Sequence, residues 1–96
     1  MIWYIAGKIT GDKNYTKKFM DAAVRLNMSD EKNVVLNPAM LPCNIPSEKA
    51  MSICMKMLEQ ADSVYALKDW VQSDGAGIEV AYARYLGKEI IFEEEI

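Results

Sequence analysis

Ile2-Trp3-Tyr4-Ile5-Ala6 runs directly into Gly7-Lys8-Ile9-Thr10-Gly11-Asp12, and a helical pattern begins at about Asn14. The first five residues are continuously apolar, β-branched or aromatic, as in a strand buried on both faces. Gly7 halts the run and opens a glycine-flanked loop. Tyr15, Phe19, Ala22, Ala23 and Leu26 then recur at spacings of 4, 3, 1 and 3, which places them on one helical face and predicts a helix over about Asn14–Leu26. Strand, glycine loop and helix form the first half of a βαβ unit.

The same alternation continues outward. Asn27–Asn33 is a polar connection, and Val34-Val35-Leu36 is a short second strand. Asn37–Pro46 holds three prolines and reads as a stiff loop, placed after a strand where α/β proteins carry binding loops. Ser47 is a suitable N-cap for a helix over about Glu48–Gln60. On that helix Ser52, Lys56, Glu59 and Gln60 make a narrow polar stripe, and apolar residues fill the rest. Such a helix is expected to face its own sheet and a second copy of the chain, predicting a homo-oligomer formed through residues 48–60. Asp62–Leu67 is a third strand, Lys68–Gly77 a loop, Ala76–Leu86 a third helix closed by Gly87, and Glu89–Phe92 a fourth strand. Glu93-Glu94-Glu95 reads as a solvated acidic run. The prediction is one domain over 1–96 with a three-layer, doubly wound (flavodoxin- or Rossmann-like) α/β fold and a four-stranded parallel sheet in the order 2-1-3-4. Ligands of such folds bind at the carboxyl ends of the strands, beside the reversal in strand order. Gly7–Asp12, Asn37–Pro46 and Lys68–Gly77 meet there.

With 96 residues and 51% apolar content, the chain suffices for a single core. It contains no histidine, which removes Ser-His-Asp and Cys-His nucleophilic systems and histidine metal sites. The carboxylates show no clustered ligand spacing, so neither metal nor cofactor is predicted. A net charge of −3 disfavours a nucleic acid polymer as partner and leaves a small anion possible. Cys43 and Cys54 fit no CxxC or zinc pattern and read as reduced thiols of a cytoplasmic protein. No signal peptide or membrane-length apolar run is visible.

Glu79 leads the residues able to carry chemistry. Near the start of the third helix it is either a nucleophile kept ionised by the helix dipole or a carboxylate that merely complements that dipole. Ser73-Asp74-Gly75-Ala76-Gly77 offers backbone N–H groups to an anion, or is an ordinary capped turn. Lys8, in the Gly7–Gly11 loop, can meet an anion as a point charge. Tyr4 presents its hydroxyl to a ligand or packs in the core. Trp70 stacks on a base or anchors its loop. Asp62, at the amino end of its strand, reads as a turn or cap residue.

Together these stretches resemble the nucleoside 2-deoxyribosyltransferase superfamily. Tyr4 to Gly11, Ala61-Asp62-Ser63-Val64-Tyr65, Ser73 to Glu79, Ala83 and Leu86-Gly87-Lys88 carry the resemblance, and Asn37-Pro38-Ala39 and Trp70 also suit it. It is strongest to a short phage and bacterial branch related to deoxynucleoside 5′-monophosphate N-hydrolases. The resemblance implies cleavage or transfer of an N-glycosidic bond, with Glu79 as nucleophile and Tyr4 orienting it. It implies substrate contacts from Gly7, Lys8, Ile9, Thr10, Gly11, Asn37, Trp70, Ser73 and Gly75, with Ser73 pointing to a 5′-phosphate. The implied partner is a small-molecule nucleoside or nucleotide. One departure stands out: Cys54 occupies the position of an aspartate that handles protons at the leaving base. The alternative is therefore a catalytically degenerate module that binds or sequesters a nucleotide.

Overall fold

Strand β1, Ile2–Ala6, lies at the centre of the molecule and is paired on both sides. In this computed structural model, which describes residues 1–94, it is flanked by β2 (Val34–Leu36) and β3 (Ser63–Ala66), and β4 (Glu89–Phe92) adds to β3. All pairings are parallel and the order is β2-β1-β3-β4, as the alternation predicts. Tyr4 sits opposite Leu36 on one side and Val64 on the other.

Period-two alternation divides the strand residues between two cores. Tyr4, Ala6, Val64 and Ala66 face α2 (Ser47–Gln60) and α3 (Asp74–Tyr85), where Cys54, Leu58, Val80 and Ala83 meet them. Ile5 and Leu67 face α1 (Tyr15–Ser29), against Phe19, Ala22, Ala23 and Leu26. Those four are the buried positions of the predicted apolar stripe.

Several boundaries differ from expectation. α1 continues to Ser29, three residues past its last buried side chain, because Ser29 Oγ and Asn33 Nδ2 both donate to the Leu26 carbonyl. An amphipathic pattern marks where burial ends, not where helical hydrogen bonding ends. Ser47 is the first helical residue of α2 and not its cap. The carbonyl of Pro46 accepts from the Lys49 and Ala50 amides instead. Two 3-10 turns, Pro38–Met40 and Trp70–Gln72, lie within the predicted loops. Glu93 is not a free member of an acidic run: one oxygen pairs with Arg25 Nη2 at 2.5 Å and the other accepts from the Lys68 amide. Glu95, the last of that run, lies outside the described residues.

Asp62 does take a structural role, its carboxylate accepting from the Ile2 amide at 2.7 Å and fastening the start of β1 to β3. The Gly7 loop is tied from the other end. Lys18 of α1 reaches the carboxylates of Asp12 and Asp69 and the Lys8 carbonyl, while Asp69 accepts from the Lys8 amide. A single cation thus joins the loops after β1 and β3. Gly7 is buried against Leu67, where a Cβ would lie 2.6 Å from Cδ1, so the two loops approach as closely as glycine allows. No helix among the described residues is long and apolar enough to cross a membrane.

Candidate functional site

At the carboxyl ends of β1 and β3 the loops enclose a cleft of about 550 Å³. Its floor is a buried pair of side chains. Tyr4 is fully buried, and its hydroxyl donates to Glu79 Oε2 at 2.8 Å. Glu79 is itself only 7% exposed. Tyr4 is directed there by strand alternation, Glu79 by the pitch of α3.

The start of α3 decides the electrostatics of Glu79. The expected helix begins at Ala76, but the observed one begins at Asp74, with Ser73 as N-cap accepting from the Ala76 amide at 3.2 Å. Glu79 is then in the second turn, where the dipole has faded. Burial dominates and pushes its carboxyl up to about 7 from an ordinary value of 4.5, the Tyr4 hydrogen bond opposing the rise. So the expectation of a carboxylate kept ionised by the helix terminus is corrected. Burial first, then the Glu79 charge, hold the Tyr4 hydroxyl protonated far above its usual range. Cys54, on α2, is 7% exposed and packs against Tyr4. Its thiol is raised by burial and by the Glu79 charge, and lowered by interaction with the Tyr4 hydroxyl.

Above this floor the cleft is lined by the small residues of two loops. Of the predicted site residues, Tyr4, Gly7, Ile9, Thr10, Ser73, Gly75 and Glu79 lie on its wall. Lys8, Gly11, Asn37 and Trp70 do not. The Lys8 backbone is held by Asp69 and Lys18, and Gly11 takes a φ of +82° in a turn. Asn37 caps the first 3-10 turn by accepting from the Ala39 amide. Trp70 packs on Phe92 of β4, ring centroids 5.7 Å apart, which is the loop-anchor role.

Other wall residues escaped the sequence reading. Tyr15 counted there only toward the α1 face, and Ala50 and Met51 only toward an apolar helix. Their signal was positional: α2 begins at the carboxyl edge of the sheet, so its first turns flank any site there. Met51 closes the wall so tightly that a Cβ on Gly75 would lie 3.2 Å from its Cε. Asp74 is the second carboxylate on the wall, and neither Lys nor Arg lines it. Among the described residues no three His, Cys, Asp or Glu side chains gather to hold a metal.

A family profile described as a domain of unknown function, DUF4406, matches residues 1–92. The chain belongs to that family. Among curated proteins no sequence match was found. Among solved structures, this DUF4406 chain is similar to a "2-desoxiribosyltransferase from Leishmania mexicana", with a TM-score of 0.72 and 21% identity. The match covers 95% of this chain and 62% of that one. At such identity the likeness is one of fold: the doubly wound sheet of the DUF4406 chain is that of a deoxyribosyltransferase.

Proposed function

We propose that the chain cleaves or transfers the N-glycosidic bond of a deoxynucleoside 5′-monophosphate, with Glu79 as nucleophile and Tyr4 positioning it. The observation that carries this reading is the buried Tyr4–Glu79 hydrogen bond at the floor of a cleft open at the switch point of the sheet. Tyr4 occupies one carboxylate oxygen. Among the described residues Oε1 has no protein hydrogen-bond partner and is the oxygen left for attack. In the first half-reaction Oε1 bonds to C1′, and the C1′–N bond breaks with its electron pair passing to the base. In the second, water or another base takes the sugar and returns the carboxylate. A cleft of this volume suits a nucleoside-sized ligand.

The phosphate end of the reading is supported by α3. The amides of Asp74 and Gly75 carry no intrachain hydrogen bond among the described residues, and an anion is favoured at such a helix start. A second reading follows from the wall itself, which brings Asp74 and no basic side chain. A 5′-hydroxyl donating to Asp74 fits that charge balance, and the substrate is then the unphosphorylated deoxynucleoside.

One chromatographic assay tests both. Purified protein is incubated with the four deoxynucleoside monophosphates and the four deoxynucleosides, with Glu79→Gln alongside, and free base is measured. Base release from the wild type that disappears in the variant supports the proposal, and the favoured set of substrates chooses between the readings. Equal release by both proteins overturns the role of Glu79. No release, with a ligand-induced thermal shift in both proteins, would leave a binding module.

A further inference from the structure

Two walls of the cleft come from different loops. Gly7, Ile9 and Thr10 follow β1, while Gln72, Ser73 and Asp74 follow β3. The group that ties these loops together lies off the wall, at Lys18 of α1. Its ammonium has three protons to donate. One goes to the Lys8 carbonyl at 2.8 Å, and the others go to the carboxylates of Asp12 and Asp69. Asp69 turns its second oxygen to the Lys8 amide at 3.1 Å. Both polar atoms of the Lys8 backbone are thus held, in a closed ring of Lys8, Asp69 and Lys18. The loop is pinned again at Asp12, whose amide donates to the Ile9 carbonyl and whose Oδ1 accepts from the Asn14 amide. Ile9 and Thr10, which reach the wall, lie between these two fixed points.

The arrangement suits lysine in particular. A compact ammonium donates in three directions, whereas a guanidinium brings a planar fork matched to a single carboxylate. Lys18, Asp12 and Asp69 are half-buried, and hydrogen bonds between charged groups are the strong ones. On the proposed reading of the site, we infer that Lys18 is a positioning residue for substrate binding: through the Lys8 backbone it holds Ile9 and Thr10 where they meet the ligand. Tyr4 and Glu79 are placed by β1 and α3 and do not depend on this clamp. Loss of Lys18 therefore lowers the population of the binding-ready loop and leaves the floor intact. Apparent affinity falls in proportion to that population, while the bound complex reacts at its usual rate.

The test compares wild type, Lys18→Met and Lys18→Arg in two measurements. One is base release from whichever deoxynucleoside or deoxynucleoside monophosphate the wild type cleaves fastest; the other is amide exchange at Lys8. Lys18→Met keeps an unbranched side chain and loses all three donors. Its KM should rise at least about 10-fold with kcat within about 3-fold, as when the binding-ready loop drops to about a tenth of the population. Exchange at Lys8 should quicken with it. Lys18→Arg keeps a charge between Asp12 and Asp69 but loses the donor aimed at the Lys8 carbonyl. It should melt like the wild type and still raise KM by about 3-fold or more. Where Lys18→Met does not fold, the KM of Lys18→Arg decides. A merely structural Lys18 lowers the amount of folded enzyme, and so the apparent kcat, and leaves KM where it was; that outcome overturns the inference. So does unaltered exchange at Lys8 in Lys18→Met. A wild type that releases no base from any of these substrates defeats the reading of the site, and the inference with it. Turnover by the wild type with KM unmoved in the variants defeats the inference alone.

Discussion

Replacing Glu79 by Gln should make the protein more stable at pH 8 and leave it nearly unchanged at pH 5. The carboxyl is raised to about 7 in the folded chain by burial. An unfolded chain returns it to about 4.3–4.5. The folded state therefore binds this proton more tightly, and stability from it is complete below the unfolded value and is lost as pH rises through 7. The full separation of about 2.5 units at 1.36 kcal/mol each is worth about 3.4 kcal/mol, of which about 2–3 kcal/mol falls between pH 5 and pH 8. Gln keeps the size of the side chain and an oxygen to accept from Tyr4, but it cannot ionise. Absence of histidine keeps the interval clean, since no imidazole titrates in it. Urea unfolding at pH 5, 6.5 and 8 measures the effect. With a slope of about 1–3 kcal/mol per molar, the wild-type midpoint should fall by roughly 1–2 M across the series. The Glu79→Gln midpoint should stay almost level. Parallel curves for the two proteins would show that Glu79 is not the group that titrates near neutrality, and would refute the burial argument.

Tyr4→Phe removes the hydrogen bond that holds the Glu79 carboxyl down. Its pKa should rise further, and the acid limb of the pH–rate profile should move to higher pH, with a stability loss of about 1–3 kcal/mol in urea at pH 8. Gly7→Ala places a Cβ 2.6 Å from Leu67 Cδ1 and 3.1 Å from its Cβ. The overpacking should cost about 1–3 kcal/mol, which for a domain of this size appears in a thermal melt as several degrees or more. Gly87→Ala meets no neighbour but sits at a φ of +74°, so it should lose only about 1–2 kcal/mol by backbone strain. Lys18→Met strands two half-buried carboxylates, Asp12 and Asp69. It should release the loop after β1, seen as faster amide exchange at Lys8, whose N–H is held by Asp69.

Both the layer architecture and the strand order were readable because they rest on patterns that survive small errors. Continuous apolar strands, one amphipathic stripe on α1 and glycine or proline at each loop define three crossovers wherever their ends fall. The buried face of α1 came out residue by residue. Loops were less legible. Lys8 and Trp70 looked functional by residue type, yet neither lines the cleft, because partners distant in sequence, Asp69 and Phe92, hold them elsewhere. No local pattern announces a hydrogen bond across 61 residues.

The site turned on a shift of two residues. Starting α3 at Ala76 puts Glu79 in the first turn, where the dipole favours a charged carboxylate; starting it at Asp74 puts Glu79 a turn deeper. The residue is the same and the chemistry differs. A first-turn glutamate would be ionised at all physiological pH and would resemble any helix-start acid. The observed one is buried, bonded to Tyr4 and close to half ionised near neutrality. Desolvation of this kind is costly to the fold and is characteristic of carboxylates with work to do. Helix boundaries are the least legible feature of a sequence. Here the cap decides between Ser73 and a later residue, and with it whether Glu79 reads as structure or as chemistry.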